Sequence, residues 1–168
     1  MSPIASTNAP LVSVIVPCYN YATFVAETLR SVLTQDYPNF ELIVVDDGSS
    51  DNSVEVIEAT LAQEQVNSLV RRVEFIRQKN AGVSAALNTG LEHAHGVFVA
   101  TFDADDLMPA GRLAVQLAYL QAHPEVGCLG GGAVRIDEHG VLLPKKDKKR
   151  SVRRYDFSQA LAAALVVG

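Results

Sequence analysis

Apolar residues along this chain fall into two alternating patterns. In one pattern they form short runs of strand length, most of them nearly unbroken, which is typical of strands buried on both faces of a sheet. In the other they recur every three or four positions, as on one face of an amphipathic helix. The runs predict strands at 11–16, 40–45, 72–76, 97–102 and 126–134.

Helical stripes separate these predicted strands. The clearest one places five residues on a single face: Val25, Thr28, Leu29, Val32 and Leu33. A turn signal at 36–39 ends it. Three other helices are predicted. The first begins at Ser50 or Asp51 as its N-cap, and the second spans about 81–93. The third runs from Pro109, as its first helical residue, to His123.

This alternation of strands and helices decides the fold class. It predicts βαβ units, and hence an α/β fold with a largely parallel sheet. After the predicted strand at 126–134 the pattern weakens. We expect a hairpin at 136–141 and an apolar terminal helix at 158–166.

Carboxylates directly follow two of the predicted strands. Asp46 and Asp47 end the second strand, and Asp103, Asp105 and Asp106 follow the fourth. In an open α/β sheet, ligands bind at the carboxyl ends of the strands. Two unit charges about 4 Å apart interact by about 4 kcal/mol at an effective dielectric constant of 20, so an acidic pocket repels an anion unless a cation intervenes. The sequence therefore predicts a metal-dependent site for a nucleoside-diphosphate compound.

The segment FDADD, at 102–106, supplies the ligands for such a metal. Asp103 and Asp105 are two residues apart on an extended segment, so both can face one ion. Their hard oxygen atoms suit Mg²⁺ or Mn²⁺. Taken alone, the same segment is also typical of an acidic loop that caps the next helix.

The net charge of −5 conceals an uneven distribution. Residues 1–144 carry 7 Lys or Arg against 17 Asp or Glu, and residues 145–168 carry 7 against 2. The late cations lie in a run that begins at Lys145 and ends at Arg154. This run is interpreted as a solvated linker, as a peripheral contact with anionic lipid headgroups, or as an attraction for a phosphate-bearing substrate. Nucleic acid is excluded as a partner, because most of the chain is acidic.

Length and composition predict the domain organisation of the chain and its cellular location. We expect a flexible tail at 1–10, a domain that binds the nucleoside-diphosphate compound at 11–144, and a basic linker with a C-terminal helix at 145–168. The start of the chain lacks the features of a secretory signal, and no apolar run approaches the roughly 20 residues of a spanning helix. Cys18 and Cys128 are predicted to be buried free thiols. These features favour the cytoplasm, or the inner face of the membrane.

Four segments together resemble the family 2 glycosyltransferases, which have the GT-A fold. In chain order they are VSVIVPCYNY at 12–21, VVDDGSSDNS at 44–53, NAGVSAALNTG at 80–90 and FDADD at 102–106. The pattern is most similar to bacterial enzymes that build surface polysaccharides. The resemblance implies transfer of a sugar, with inversion, from a nucleoside-diphosphate donor, often a UDP-sugar, to a glycan or lipid-linked acceptor.

The resemblance also assigns roles to the carboxylates. Asp105 is the first metal ligand, Asp103 shares the metal or contacts the ribose, and Asp106 supports them. Asp47 accepts a hydrogen bond from the N3–H of a uracil-type base. Asp46 supports the loop or the ribose.

Further donor contacts are expected at the ends of other elements. They are Pro17, Tyr19, Asn80, Gly82 and Asn88. Tyr19 offers a flat face for a base, and the helix start after Asn80 offers N–H groups to an anion. Family members commonly have an arginine just before the second asparagine, where this chain has Leu87. That departure leaves the identity of the donor open.

An inverting transfer also needs a general base to take the proton of the acceptor hydroxyl. Neither Asp137 nor Asp156 matches the family's acidic element, so we expect the base beyond Gly168 and this chain to be the donor-binding part of a longer enzyme. A noncatalytic nucleotide-sugar-binding module is the main alternative. A sugar nucleotidyltransferase is disfavoured, because the first strand ends in PCYNY rather than in a loop rich in glycine and basic residues.

Overall fold

The computed structural model describes residues 9–64, 69–137 and 140–143. In these residues, four strands alternate with four helices. The strands are β1 (Val12–Cys18), β2 (Phe40–Asp46), β3 (Arg72–Arg77) and β4 (Phe98–Thr101). The helices are α1 (Val25–Leu33), α2 (Ser53–Glu64), α3 (Val83–Glu92) and α4 (Arg112–Ala122). The predicted α/β fold with a parallel sheet is confirmed.

The strands form one sheet in the order β3-β2-β1-β4, and every pairing is parallel. The chain builds outward from β1 to β3 and then returns, so that β4 pairs on the other side of β1. The strand order therefore reverses between β1 and β4. In open α/β sheets, such a reversal opens a crevice at the carboxyl ends of the strands, and ligands bind there.

Strand β1 is longer than the sequence pattern predicts, because it continues through Pro17 to Cys18. Proline lacks the N–H group that a central strand donates to its neighbour. Here β4 pairs only with the first half of β1, from Val12 to Ile15. Pro17 thus lies where β1 has a partner on one side only.

The two central strands are buried on both faces. Ile15, Ile43 and Val45 pack with Ala86 of α3 on one face. A Cβ atom on Gly90 of α3 would lie 2.4 Å from Cγ2 of Ile15, so glycine is needed for this close approach of helix and strand. Side chains that alternate with these point to the opposite face and are also buried: Val14, Val16, Leu42 and Val44.

A polar cluster lies near the amino ends of the strands, at the opposite end from the crevice. Its centre is the carboxylate of Glu41, a residue that is only 2% exposed. Oε1 accepts hydrogen bonds from Oγ of Ser13 at 2.6 Å and from the backbone N–H of His95 at 2.7 Å. Oε2 accepts one from Nη1 of Arg72 at 3.1 Å. This cluster joins β1, β2, β3 and the start of the segment that leads to β4.

The described residues up to Val115 form one compact unit, and those from Gln116 form a second. The predicted strand at 126–134 is wrong, because these residues have no regular secondary structure. Four of the nine are glycines, which have no side chain to pack and weaken a strand. The hairpin expected at 136–141 is supported by an antiparallel bridge between Ile136 and Leu142. The predicted terminal helix at 158–166 lies outside the described residues.

Two smaller predictions are also corrected. Pro109 is not the first helical residue, because α4 begins only at Arg112. Gly111, with φ of +75°, turns the chain between them, and the N–H of Arg112 donates to the carbonyl of Pro109 at 3.2 Å. Cys18 is buried as predicted, but Cys128 is exposed.

Candidate functional site

A cavity of about 610 Å³ opens at the carboxyl ends of β1 and β4, where the strand order reverses. Seven of the nine site residues predicted from the sequence line it: Pro17, Tyr19, Asp47, Asn80, Gly82, Asp103 and Asp105. These residues come from the end of β1 and from the segments that follow β1, β2, β3 and β4, which are distant in the sequence. The fold therefore gathers the motif residues around one space.

Two of the predicted site residues do not line this cavity. Asp46 is buried at the end of β2, where its Oδ2 accepts a hydrogen bond from the N–H of Ser49 at 3.2 Å. Its Oδ1 has no hydrogen-bond partner among the described residues. Asn88 is exposed on α3. Asp46 thus accepts a hydrogen bond within the loop after β2, and both roles expected for it stay predictions.

The carboxylate of Asp47 ties the loop after β2 to the start of α3. Oδ1 accepts from Nε2 of Gln78 at 2.7 Å and from the N–H of Ala81 at 2.9 Å, and Oδ2 accepts from the N–H of Gly82 at 2.8 Å. A carboxylate offers about four acceptor positions. Three are filled by the protein, so Oδ2 keeps room for one further donor.

Gly48 allows this contact between the two loops. Its φ is +72°, a conformation that residues with a Cβ atom rarely adopt. A Cβ atom there would also lie 2.7 Å from the backbone nitrogen of Asn80. Both the turn and the close approach therefore require glycine at this position.

A second set of hydrogen bonds joins the segment after β1 to the loop after β2 and the start of α2. Asn20 holds a left-handed conformation, with φ of +59°. Its Oδ1 accepts from the N–H of Ser50 at 2.8 Å, and its own N–H donates to Oγ of Ser49 at 3.0 Å. The N–H of Tyr21 donates to Oγ of Ser53 at 2.9 Å. Tyr19, beside Asn20, remains 46% exposed and free to contact a ligand.

The acidic loop after β4 brings its carboxylates close together. Burial and the charges of Asp103 and Asp105 raise the pKa of Asp106. The charge of Asp105, partial burial and the charge of Asp103 raise the pKa of the Tyr21 hydroxyl. Tyr21 also lines the cavity, although it was not among the site residues predicted from the sequence. The signal in the sequence was a second aromatic residue two positions after Tyr19, shortly after the same strand.

Cys18 lines the cavity as well, but its thiol is not poised for chemistry. Burial, which outweighs its hydrogen bonds, raises its pKa to about 11. The thiol is therefore protonated at neutral pH, whereas the nucleophilic form is the thiolate. Cys18 contributes shape to the cavity.

The donor atoms in the cavity fit a hard divalent ion whose coordination is completed by a substrate. In the parts of the chain that the structure describes, no group of three or more His, Cys, Asp or Glu side chains forms a metal cage. Mg²⁺ is usually held by one or two carboxylates together with waters and substrate phosphates. Asp103 and Asp105 supply that number of carboxylates.

Comparisons with known proteins agree with this geometry. The family model "Glycosyl transferase family 2" matches residues 13–163. The chain belongs to glycosyl transferase family 2. The Bacillus subtilis protein EpsE, named as a glycosyltransferase, is 37% identical over 135 residues, which are 80% of this chain and 47% of EpsE. This family 2 chain thus spans about half the length of that relative.

Two solved structures show the same GT-A fold. The mannosyltransferase PcManGT from Pyrobaculum calidifontis, in complex with GDP-Man and Mn²⁺, is 37% identical with a TM-score of 0.65, over 72% of this chain and 35% of that one. S. aureus TarS 1–349, in complex with UDP-GlcNAc, is 28% identical with a TM-score of 0.59, over 74% of this chain and 36% of that one. The family 2 chain therefore has an α/β fold of the GT-A type.

For the family 2 domain, the sequence predicted no membrane-spanning helix and offered a peripheral lipid contact of the basic run as one interpretation. Within the described residues, no helix combines the length and the apolar character needed to cross a bilayer. The basic run from Lys145 to Arg154 lies outside the described residues, as do residues 1–8 of the expected tail and the whole of the segment expected as linker and helix at 145–168.

Proposed function

We propose that the cavity binds the nucleoside-diphosphate part of a sugar donor together with Mn²⁺ or Mg²⁺. In the whole protein, the sugar is then transferred with inversion to a glycan or lipid-linked acceptor. One observation carries this proposal. The described residues that line the cavity include three carboxylates, Asp47, Asp103 and Asp105, and no Lys, Arg or His.

The charges in the cavity favour a metal-assisted donor over a bare anion. A diphosphate beside Asp103 and Asp105 meets only like charges, and each close pair is unfavourable by a few kcal/mol (about 4 kcal/mol at 4 Å and a dielectric constant of 20). A divalent ion held by Asp105, with Asp103 as second ligand or ribose contact, would make the interaction of the diphosphate with the site attractive instead of repulsive. When bound, such an ion stabilises the negative charge on the departing nucleoside diphosphate.

The base is proposed to be uracil, on the evidence of Asp47. Its carboxylate has room for one further hydrogen-bond donor, and uracil presents one, the N3–H. Guanine presents a ring N–H and an amino group side by side, so one of its donors is left without a partner there. An unpaired buried donor costs about 1–3 kcal/mol. Tyr19, with Pro17 beside it, supplies a flat face for the same base.

The relatives support a sugar donor but differ in its base. The description of PcManGT names GDP-Man and Mn²⁺, and that of TarS names UDP-GlcNAc. Both are statements about those proteins. The choice between the two bases for this chain thus rests on the hydrogen-bonding capacity of Asp47.

The general base for the acceptor is proposed to come from outside the donor cavity. Asp47 is occupied by its three donors, and Asp103 and Asp105 are assigned to the ion and the ribose. No lining carboxylate is left to take the acceptor proton. We also propose a cytoplasmic location for the protein. A peripheral contact of Lys145–Arg154 with anionic lipid would suit a lipid-linked acceptor, because basic segments are attracted to anionic headgroups.

Isothermal titration calorimetry on the 168-residue chain tests this function. UDP is titrated in buffer that contains Mn²⁺ or EDTA, and GDP is titrated under the same conditions. We expect UDP to bind at least about tenfold more tightly with Mn²⁺ than with EDTA, and more tightly than GDP by a similar factor. Binding that is equal with and without the metal would contradict the proposal. A preference for GDP would contradict the assignment of the base.

A further inference from the structure

The loop that carries Asp103 and Asp105 has no helix or strand to hold it. From Phe102 to Gly111 the chain makes turns and irregular segments, so its backbone polar groups need other partners. Within the loop itself, the N–H of Asp106 donates to the carbonyl of Asp103 at 3.3 Å. The N–H of Phe102 donates to the carbonyl of Ile15 in β1 at 3.0 Å. Further partners are side chains of α1 and of Gln35, two residues past its end.

Thr28 of α1 holds the middle of the acidic pair. Its Oγ1 donates to the carbonyl of Ala104 at 2.8 Å, and more weakly to the carbonyl of Phe24 in its own helix at 3.4 Å. Thr28 and Ala104 are each only 1% exposed. Ala104 lies between Asp103 and Asp105, so this hydrogen bond holds the peptide group that links Ala104 to Asp105.

Ser31 and Gln35 hold the rest of the loop. Oγ of Ser31 accepts from the N–H of Met108 at 2.9 Å. Nε2 of Gln35 donates to the carbonyl of Pro109 at 3.0 Å, and its Oε1 accepts from the N–H of Leu113 at 3.5 Å. The side chain of Gln35 is as deeply buried as that of Thr28.

These three residues form one polar stripe beside the apolar buried face of α1. Thr28 and Ser31 lie in α1 and Gln35 lies two residues past its end. Positions 28, 31 and 35 are three and four residues apart, so their side chains follow one another along one side of this segment. Their neighbours Leu29 and Val32 are fully buried. Buried polar side chains are costly unless they are hydrogen-bonded. Thr28 and Gln35 are buried and Ser31 is half-buried, and all three bond to the same loop. The stripe therefore serves the loop rather than the packing of the helix.

We propose that Thr28, Ser31 and Gln35 are positioning residues that hold the acidic loop so that Asp103 and Asp105 face one ion. None of the three lines the cavity, so they act through the loop backbone. The inference rests on the proposed function, because it needs a nucleotide and a metal at this site. Partners that orient the ligands of a metal typically contribute about ten- to a hundredfold to its affinity.

The test compares Thr28→Val with Thr28→Ser and with Thr60→Val in the full 168-residue chain. Valine keeps the shape of threonine but removes the hydroxyl, and serine restores it. Thr60 is the matched control, because it is buried on α2 and its hydroxyl donates to the carbonyl of Val56 in its own helix at 2.7 Å. Calorimetry with UDP, in Mn²⁺ and in EDTA, gives the ratio of the two dissociation constants for each variant.

The ratio separates positioning from general stability. We expect Thr28→Val to reduce the gain in UDP affinity from Mn²⁺ about tenfold, while the affinity in EDTA changes less than about twofold. Thr28→Ser and Thr60→Val should keep the gain of the wild type. An equal loss in Mn²⁺ and in EDTA, or an unchanged ratio in Thr28→Val, would overturn the inference.

Two further outcomes are distinguishable. If the wild-type chain shows no gain from Mn²⁺, the proposed function fails, and the positioning role fails with it. If Thr28→Val does not fold, Ser31→Ala replaces it, since Ser31 is only half-buried and bonds a single loop N–H. Ser31→Ala should lower the gain about threefold. An unchanged gain in that folded variant would overturn the inference.

Discussion

The Asp105→Asn variant should bind UDP in the presence of Mn²⁺ about a hundredfold more weakly than the wild type, a loss of about 2.7 kcal/mol. Asparagine keeps the size and one oxygen atom of aspartate but removes the charge that attracts the ion. In EDTA the variant should bind UDP at least as tightly as the wild type, because no ion is then present to be held and one of the charges that repel the diphosphate has been removed. Calorimetric titrations under both conditions give the four dissociation constants.

Asp106→Asn is the matched control for that variant. It is the same substitution in the next residue, whose side chain does not line the cavity. We expect its UDP affinity in Mn²⁺ to stay within about threefold of the wild type. The result would contradict the assignment if both variants lost affinity equally, or if Asp105→Asn kept the affinity of the wild type.

Thermal stability should move in the opposite direction to binding. Without metal, Asp105 repels Asp106: its charge, after burial and the charge of Asp103, contributes to the raised pKa of Asp106. Removing the charge of Asp105 relieves that repulsion. The melting temperature of Asp105→Asn in EDTA should therefore equal or exceed that of the wild type, which distinguishes lost metal binding from misfolding.

The Glu41→Gln variant should be less stable than the wild type by about 2–3 kcal/mol at pH 7. The carboxylate of Glu41 accepts hydrogen bonds from Ser13, His95 and Arg72. An amide presents an NH₂ group to at least one of these donors, so one buried donor loses its partner. Chemical denaturation at pH 7 measures the free energy of unfolding of both proteins.

The same difference in stability should shrink in acid. Burial by itself would raise the pKa of Glu41, but the hydrogen bonds from Ser13, His95 and Arg72 outweigh it and lower the pKa below its ordinary value of 4.5. A carboxylate with a lowered pKa stabilises the fold fully above the pKa of the unfolded chain, and that contribution is lost as the pH falls through the folded value. The gap between wild type and Glu41→Gln should thus narrow below about pH 4.5.

The exposed ion pair between Arg30 and Glu64 provides the control for Glu41. The distance from Nε of Arg30 to Oε1 of Glu64 is 3.2 Å, close to the 3.1 Å between Nη1 of Arg72 and Oε2 of Glu41, but both side chains of the Arg30 pair are substantially exposed. Glu64→Gln should cost less than about 1 kcal/mol, because water screens an exposed pair. Equal effects of the two substitutions, or a Glu41→Gln effect that is the same at pH 7 and in acid, would contradict the role of the buried cluster.

The sequence predicted the sheet well because its central strands are apolar on both faces. It also predicted which loops meet, since Asp47, Asp103 and Tyr19 each follow a strand, and parallel strands bring their carboxyl ends to one edge. The period of α1 placed Thr28 on its buried face. It could not show that Thr28 bonds the carbonyl of Ala104, because that partner is 76 residues away.

Other features could not be predicted because they depend on contacts across the chain. Three donors from a segment more than thirty residues away fill most of the capacity of Asp47. The resemblance gave Asp47 a role towards the base and no role in holding α3. At 126–134 the sequence predicted an element that the structure lacks. The residues between the four glycines are apolar, as in a strand, but the run has too few side chains to pack.

The central claim is that Asp105, with Asp103 beside it, holds a divalent ion shared with the diphosphate of the donor. Anomalous X-ray scattering from Mn²⁺ in crystals of the chain with UDP tests it most directly. The account predicts one strong peak within bonding distance of a carboxylate oxygen of Asp105 and of the diphosphate in the cavity. UDP bound in the cavity with no manganese peak there, or a peak only at a distant surface, would contradict it.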